Sequence, residues 1–378
     1  MSKKPVAARQ TQPSLRHVAA RANVSVMTVS NVINGRMARV GKEVAERVRA
    51  AIDELGYRPQ RSGRSLRLKR EFALGLTVMH PDRRFLDDPY ITQVAAGMSN
   101  HLATIGYGLM VNGLQDREAL AAFVGRSTGY DGFAVMVSGG RDERLSTYRT
   151  LAQLNVPMLI VQDLPPEDLP AASSVRQDDR GGAAALTEEL LRLDVRRLLC
   201  VMPRQIWPGT EQRAAGIADA TRARIAEGQL VVDYLTSHEE DFETSVEEIA
   251  QRLSQGPAPD AIMGGNDQLG LAAIQACTRC GFAVPRDIMV TGFNAFWFRK
   301  FSTPVLSSVT SPAYEIGLEA ARMLVRTIDG EEPGGQHKLL PVHPAAGGSI
   351  RPAAEPKFGI RDGEATAAAG EGHSSGCR

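Results

Sequence analysis

Hydroxyl, amide and apolar side chains lie together on a short helical segment near the start of the chain. Its inward positions recur at helical spacing and are apolar: Val24, Val29, Val32 and Ile33. Its outward or N-terminal positions are Ser25, Val26, Met27, Thr28, Ser30, Asn31 and Asn34. Hydroxyl and amide groups can bind phosphates and base edges, and apolar groups can contact thymine methyls. This face could therefore recognise a nucleic acid.

The charge distribution favours the same interpretation. Residues 1–70 hold 16 Lys and Arg against 4 Asp and Glu, a net charge of +12, whereas the whole 378-residue chain has a net charge of +1. Residues 71–378 therefore carry a net charge of −11. A basic segment joined to an acidic remainder is typical of a phosphate-binding module. The alternative, an ordinary small helical subdomain, gives no reason for this asymmetry.

Three short helices must position the polar face. Ser14 is predicted to cap the first helix and Ser25 the second, because a serine hydroxyl can accept from a free N–H group at a helix start. Gly35 ends the second helix. A third helix, at about residues 42–55, stops at Gly56 and supplies the core that two short helices cannot bury alone. The spacing predicts a helix-turn-helix unit.

Two stretches of this region match a known pattern closely. ARANVSVMTVSNVING and VRAAIDELGYRPQRSGRSL resemble the head of the LacI/GalR-type transcriptional repressors, and the resemblance extends to about residue 352. The usual pattern there is A-x-x-A-G-V-S-x-x-T-V-S-R-V-L-N-G, then A-I-x-E-L-G-Y-x-P-N-x-x-A-R-S-L. This chain departs from it at four positions: Asn23 replaces a turn glycine, Asn31 an arginine, Gly41 a serine and Gly63 an alanine.

The resemblance implies specific contacts with an operator. The major groove would receive Val26, Met27, Ser30 and Asn31, and the phosphates would be held by Ser25, Thr28, Asn34 and Arg36. In the family, the basic linker at 60–70 folds on DNA and pushes a leucine, here Leu66, into the minor groove. The alternative is a linker with an incidental leucine. A pseudo-palindromic operator has two half-sites, and each would be read by one head, so we expect a homodimer.

Strand-length apolar runs alternate with amphipathic helical patterns through the rest of the chain, which predicts an α/β fold with mostly parallel, doubly wound sheets. The pattern runs through twice, which indicates two lobes. The resemblance adds a periplasmic-binding-protein-like architecture in which the chain crosses back. The predicted division is a tail (1–13), a helix-turn-helix domain (14–59), a hinge helix (60–70), a two-lobed core (71–352) and a second disordered tail (353–378). Lobe one is predicted at 72–171 with 301–332, and lobe two at 172–300 with 333–352.

Candidate ligand contacts lie in loops that follow the predicted strands, where ligands of open α/β sheets bind. Asp82 and Tyr90 follow the first strand, and the aromatic pair Phe296 and Trp297 follows a later one. The resemblance adds Asp179, Arg213 and Asp267 as the effector-binding positions. It implies a sugar or sugar acid as the small-molecule effector.

Signals for other functions are weak. Cys277 and Cys280 form a C-x-x-C inside a helical pattern, and the chain has no second pair for a zinc site. We find no catalytic constellation, no cofactor-binding motif and no membrane span, and we expect a cytoplasmic protein. The interpretation is a sequence-specific repressor of carbohydrate-metabolism genes, controlled by a sugar-like effector. The alternatives are a solute-binding protein or a sugar-metabolising enzyme with an incidental helical head.

Overall fold

The structure is a computed structural model, and it describes residues 13–33, 35–37, 40–57, 70–126, 129–238 and 241–352. Its helices, in chain order, are α1 (Leu15–Ala22), α2 (Val26–Ile33), α3 (Lys42–Leu55), α4 (Pro89–Thr104), α5 (Arg117–Val124), α6 (Arg141–Ala152), α7 (Asp179–Leu191), α8 (Pro208–Ala226), α9 (Phe242–Ser254), α10 (Asp267–Arg279) and α11 (Ala313–Asp329). Its strands are β1 (Ala73–Met79), β2 (Gly108–Leu114), β3 (Gly132–Val137), β4 (Met158–Val161), β5 (Ser173–Gln177), β6 (Arg197–Pro203), β7 (Val231–Ser237), β8 (Ala261–Gly264), β9 (Met289–Thr291), β10 (Ser308–Val309), β11 (His337–Leu340) and β12 (Pro344–Ala345). Short 3-10 helices lie at Phe85–Asp87 and Trp297–Phe301. No described helix is long and apolar enough to cross a membrane.

The helical head packs around a small apolar core. Val18, Val29 and Val48, one from each helix, are fully buried in it. Ser14 caps α1, because its hydroxyl accepts from the His17 N–H at 3.4 Å. Asn23 takes the left-handed conformation at φ 50° and so performs the role predicted for a turn glycine. These local signals confirm the three predicted helices.

The start of α3 lacks a side-chain cap. Gly41 occupies the N-cap in an extended conformation, makes no side-chain hydrogen bond, and has open space where a β-carbon would lie. A serine hydroxyl there could accept from a free N–H group of the first turn. We expect Gly41→Ser to raise the free energy of unfolding of the head by a few tenths to about 1 kcal/mol in urea denaturation. Gly41→Ala lacks the hydroxyl and is the control; equal stabilisation by both would contradict the capping argument.

A six-stranded parallel sheet forms the first lobe, in the order β11-β5-β4-β3-β1-β2. Helices α4 and α11 cover one face of the sheet, and α5 and α6 cover the other. The strands are therefore apolar on both sides; Leu74, Leu76 and Val78 of β1 face α4, while Ala73 faces the opposite core. This layer order is the predicted doubly wound arrangement.

A four-stranded parallel sheet forms the second lobe, in the order β7-β6-β8-β9. Leu199 and Val201 of β6 face α9 and α10, and the alternate residues Leu198 and Cys200 face α7 and α8. A small antiparallel pair, β10 with β12, lies beside it. The α/β fold class with a helical head and two lobes is confirmed.

Three short stretches were assigned to the wrong lobe. Residues 306–310 are predicted in lobe one, but Leu306 and Val309 lie in the cores of lobe two, because Ser307 and Thr310 pair with the segment that ends β9. Strand β5 pairs with β4, and β11 pairs with β5, so both belong to the first sheet and not to the second lobe. The first lobe thus extends beyond 171, and residues 337–340 return to it. The physical reason is that β5 is short and rich in serine, which hides it from a search for apolar runs. Its buried Ser174 hydroxyl contacts His337 Nδ1 at 3.1 Å across the added pair.

Candidate nucleic-acid interface and ligand cleft

Helix α2 presents its N-terminal end to solvent. Val29 and Val32 are buried against the other helices, whereas Val26 is 42% and Met27 is 70% exposed. The Ser25 hydroxyl caps the helix by accepting from the Thr28 N–H at 3.1 Å. Because large apolar groups at this exposure gain nothing from the head's own core, the surface is suited to a contact with another molecule.

The other predicted DNA-contacting residues lie further along α2 and beyond its C-terminal end. Ser30 and Asn31 are half-buried on the helix, and Arg36 is exposed just beyond it, with its backbone N–H donating to the Asn31 carbonyl at 2.9 Å. Asn34 and Leu66 lie outside the described residues. The described members of the set therefore lie on α2 or within three residues of its ends, and all of them are exposed or half-buried.

The centre of the second site is the buried guanidinium of Arg213 on α8, which is 4% exposed. Its Nε donates to Asp179 Oδ1 at 2.8 Å. Its Nη1 donates to the Gly265 carbonyl at 2.6 Å, and its Nη2 donates to Asn294 Oδ1 at 2.9 Å. The guanidinium carbon also lies 4.1 Å from the centroid of the Phe293 ring, a cation–π distance. Arg213 therefore ties together the ends of three strands.

Asp179 belongs to this ion pair more than to the cleft surface. It begins α7, is 3% exposed, and accepts from Gln177 Nε2 at 2.8 Å in addition to Arg213. Burial raises the pKa of its carboxyl, and the nearby Arg213 charge opposes that shift. Its predicted approach to the cleft is thus indirect, through the arginine that it holds.

The predicted contact of the Asp267 carboxylate with the cleft is not observed, because both of its oxygens bond to groups inside the protein. Its Oδ2 accepts from the Phe296 N–H at 2.6 Å, and its Oδ1 accepts from the Ser308 hydroxyl at 2.6 Å. The preceding residue, Asn266, lines the cavity instead. Asp267 sits one position further along, at the first turn of α10, where its side chain turns into the protein and fixes the loop that carries Phe296.

Burial raises the pKa of Asp267 to about 7, although the Ser308 hydroxyl and the Phe296 N–H favour the charged form. Arg299 and Arg213 are the neighbouring cations. An unfolded aspartate titrates near pH 4, so between about pH 4 and pH 7 the folded state holds a proton that the unfolded state has released. The contribution of this group to stability therefore increases as the pH falls through 7.

We expect the melting temperature of the wild type, relative to that of Asp267→Asn, to rise as the pH is lowered from about 8 to 5. The free-energy difference changes by up to about 1.4 kcal/mol per pH unit below 7. Thermal unfolding of both proteins across this range measures it, and the neutral variant removes every other titration from the comparison. A difference that stays constant with pH would contradict the assignment.

An interlobe cavity with about 460 Å³ of empty space lies in front of Arg213. It is lined by Asp88, Tyr90, Met136, Gln162, Trp207, Gly209, Thr210, Arg213, Asn266, Gln268, Asn294 and Phe296. Of the predicted ligand contacts, Tyr90, Arg213 and Phe296 reach this cavity. Asp82 does not; it lines an adjoining cavity that shares Asp88 and Gln268 with the first. Trp297 is 64% exposed and packs edge-on against Phe301 at 5.1 Å, so it faces away from the cleft.

The sequence analysis missed several lining residues. Gln162 directly follows β4, and Gln268 lies beside the predicted Asp267, so position at a strand end could have found both. Trp207 and Thr210 gave no such signal. They reach the cavity because α8 begins at Pro208, with the Trp207 N–H donating to Thr210 Oγ1 at 3.1 Å.

The two lobes touch around the cavity. The His80 ring of lobe one stacks on the Trp207 ring of lobe two, with centroids 5.5 Å apart and planes at 15°. The buried Arg144 of lobe one donates from Nη2 to Glu211 Oε2 of lobe two at 2.7 Å, and from Nε to Asp163 Oδ2 at 2.9 Å. A change in the angle between the lobes would break these contacts. A ligand that changes this angle would therefore also change how the lobes pack on each other.

In the part of the chain that the structure describes, Cys200, Cys277 and the possible metal ligands offer no competing site. Burial raises the pKa of both Cys200 and Cys277 to about 12, which disfavours the thiolate needed for redox or metal chemistry. Within the residues that the structure describes, no cluster of three or more His, Cys, Asp and Glu side chains could hold a metal ion. The C-x-x-C therefore belongs to the packing of α10.

Comparisons with known proteins agree with this geometry. Residues 14–60 match the family described as bacterial regulatory proteins, lacI family, and residues 187–350 match a periplasmic binding protein-like domain. The HTH-type transcriptional regulator CelR of Thermobifida fusca is 28% identical over 343 residues, covering 89% of this chain and 97% of that protein. The ribose operon repressor of Halalkalibacterium halodurans is 27% identical over 322 residues, covering 84% and 90%.

Solved structures match across the same length. A CelR–cellobiose complex superposes with a TM-score of 0.64 at 27% identity, covering 89% of this chain and 99% of that one. A lac repressor dimer bound to operator superposes with a TM-score of 0.75 at 21% identity, covering 90% and 99%, and this shows the shared fold. The head, residues 14–60, therefore belongs to the lacI family of bacterial regulatory proteins, and the same chain joins it to a periplasmic-binding-protein-like body.

Proposed function

We propose that this protein is a repressor that binds a pseudo-palindromic operator as a homodimer and releases or holds it according to a sugar-like effector in the interlobe cavity. The single observation that carries the proposal is the joining, in one chain, of a lacI-type head to a periplasmic-binding-protein-like body. A solute-binding protein would not need a helix-turn-helix head of the lacI type. The similar proteins named above are a transcriptional regulator and an operon repressor. We place the action of this chain in the cytoplasm, beside its DNA.

The proposed DNA contacts follow from the exposed end of α2. Val26 and Met27 would meet thymine methyls in the major groove, because apolar groups gain more from a methyl than from a hydrogen-bonding edge. Ser30 and Asn31 would reach base edges, and Ser25, Thr28, Asn34 and Arg36 would hold phosphates. The exposed fractions of Val26 and Met27 support this assignment.

The proposed effector contacts lie on both lobes. Tyr90 and Phe296 offer aromatic faces, and Arg213 offers the N–H groups that its partners leave unused. Ligand binding changes operator affinity only if the two lobe arrangements bind DNA differently. The Arg144–Glu211 pair supports such a coupling, since it exists only while the lobes are close.

A mobility-shift assay tests the proposal. The full-length protein is incubated with DNA from its own upstream intergenic region, with and without a panel of sugars and sugar acids. Release of a specific complex by one compound supports an inducer, and a strengthened complex identifies a co-repressor. Met27→Lys, which should abolish the specific shift without unfolding the body, is the control. Absence of any specific shift, at low salt as well as high, would contradict DNA binding.

Leu66 is proposed as the minor-groove wedge. Leu66→Ala should weaken operator binding by at least about 10-fold and leave non-specific binding within about 2-fold, because unstacking a base step requires the full side chain. Leu68→Ala, in the same linker, is the matched control and should change neither. The measurement is titration of operator and scrambled DNA with each protein; equal losses on both DNAs would remove the wedge assignment.

A further inference from the structure

One arginine lines the interlobe cavity, and a buried carboxylate balances its positive charge. Arg213 and Asp179 form a buried ion pair at 2.8 Å, with side chains 5% and 3% exposed. A buried guanidinium that is paired and hydrogen-bonded to a carboxylate is electrically neutral as a unit. An incoming anion would have to compete with Asp179, which the fold holds in place through Gln177.

The guanidinium can still donate to an uncharged group. Arg213 has five N–H donors, and three of them bond to Asp179, Gly265 and Asn294. The two that remain can bond to hydroxyl oxygens of a ligand without requiring a negative charge. Asn294, a neutral amide, is the acceptor at the position where the family usually has an aspartate.

The other charged groups around the cavity disfavour an anion. Asp88 is the only ionisable carboxyl among the lining residues, and it also caps α4 by accepting from the Tyr90 N–H at 2.7 Å. The remaining polar groups of the lining residues are uncharged: the amides of Gln162, Asn266, Gln268 and Asn294, the hydroxyls of Tyr90 and Thr210, and the indole N–H of Trp207. The wall therefore offers no unpaired cation to balance a carboxylate or phosphate; burial raises the pKa of Asp88, and its ionised form would repel such a ligand.

The adjoining cavity is acidic. Its lining holds Asp82, Asp87 and Asp88 against a single arginine, Arg84, whose Nη2 lies 3.6 Å from Asp82 Oδ2. An excess of carboxylates at a cleft repels anions before they reach the inner site. On the far side of His80, a further cavity is balanced, with two arginines and two carboxyls: Arg117, Arg204, Asp116 and Glu143.

We infer that the interlobe site takes an uncharged, hydroxyl-rich ligand, such as a neutral sugar, and excludes sugar acids and sugar phosphates. The aromatic faces of Tyr90, Trp207 and Phe296 suit the apolar faces of a sugar ring, and the amides and Asp88 suit its hydroxyls. This inference rests on the proposed function, because it concerns the effector of that same cleft.

Matched pairs of ligands test the inference on the full-length protein. Cellobiose is compared with cellobionate, glucose with glucose 6-phosphate, and ribose with ribose 5-phosphate, by calorimetric titration and by melting temperature. In every pair where either member binds, the neutral member should bind at least about 10-fold more tightly. A charged member that binds as tightly as its neutral partner, or more tightly, would overturn the inference.

Variants give a second readout that does not depend on finding the effector. Inorganic phosphate should leave the melting temperature of the wild type no higher than chloride does at equal ionic strength. Asp179→Asn, which removes the internal counter-charge, should gain a phosphate-dependent rise, and Asp179→Asn/Arg213→Gln should lose it. The inference would be overturned if phosphate raised the melting temperature of the wild type as much as that of Asp179→Asn. It would also be overturned if Asp179→Asn folded and phosphate did not raise its melting temperature.

Asp88→Asn serves where Asp179→Asn does not fold, since asparagine caps a helix as well as aspartate does. It removes a carboxyl that would repel an anion but leaves Arg213 paired with Asp179, so it should gain a smaller phosphate-dependent rise, and Asp87→Asn in the adjoining cavity should gain less still. A folded Asp88→Asn that responds to phosphate no more than the wild type would contradict the charge argument. None of these readouts involves DNA, so failure of operator binding and failure of this inference remain distinguishable.

Discussion

Arg213→Gln is expected to abolish the effector response and to lower the free energy of unfolding by about 3–5 kcal/mol, the usual cost of removing one partner of a buried ion pair. The substitution leaves the Asp179 carboxylate buried without its cation. It also removes the donors that Gly265 and Asn294 use at the ends of two further strands. Because Arg213 and Asn294 both line the cavity, the ligand contacts and the stability should be lost together.

A matched control is available on the same helix. Arg222 also lies on α8 and also pairs with an aspartate, Asp219 at 3.0 Å, but its side chain is 78% exposed. Arg222→Gln should therefore change stability by less than about 0.5 kcal/mol. Urea denaturation measures both variants, and mobility shift with any compound that affects the wild-type complex measures the response. Equal stability losses in the two variants, or an intact response in Arg213→Gln, would contradict the central role of Arg213.

The second large effect is expected at the crossing of α4 and α11. A β-carbon at Gly97 would lie 2.0 Å from the Tyr314 carbonyl oxygen, and one at Gly317 would lie 2.0 Å from the Val94 carbonyl oxygen. Each glycine thus lets its helix approach the backbone of the other. Gly317→Ala should lower the free energy of unfolding by about 3 kcal/mol, because the backbone cannot yield as a side chain would and the helices must separate.

Gly140→Ala is the control for this prediction. Gly140 has a φ of −65° and no atom within 4 Å of the β-carbon position, so alanine should be tolerated within about 0.5 kcal/mol. Urea denaturation followed by circular dichroism compares the two variants with the wild type. Wild-type stability in Gly317→Ala would show that the helices can separate at little cost. The second lobe has a similar close approach at Gly216, where an added β-carbon would lie 2.2 Å from the Arg180 carbonyl oxygen.

The two predictions concern different parts of the body: Gly317 lies in lobe one, and Arg213 lies at the cavity between the lobes. The glycine contacts bring α4 and α11 against each other, and both helices pack directly on the sheet of lobe one. Arg213 and Asp267 join the strand ends of lobe two on either side of the cavity. A ligand between the two lobes can bias their relative position, which is the kind of change that a hinge can transmit to a DNA-binding head.

Much of the architecture could be predicted from local patterns. The apolar runs of β1, β3, β6 and β8 and the caps at Ser14 and Ser25 are properties of neighbouring residues, so they are visible in the sequence. Strand β5 could not be found in this way. Its sequence, SSVRQ, has one large apolar residue, and it is buried because β4, β11 and α11 cover it.

The sequence by itself determined the helix-turn-helix head and the two-lobed α/β body, because hydrophobic periodicity and capping residues act over a few neighbouring positions. Its resemblance to a known family predicted Arg213 as a ligand contact. Only the tertiary structure decided what each cleft residue does. Asp267 turns inward because its partners, Phe296 and Ser308, are 29 and 41 residues away along the chain. Arg213 is neutralised because α7 brings Asp179 against it from 34 residues away. Charge balance in a cavity depends on which groups share a small, water-poor volume, and the chain's folding alone brings those groups together.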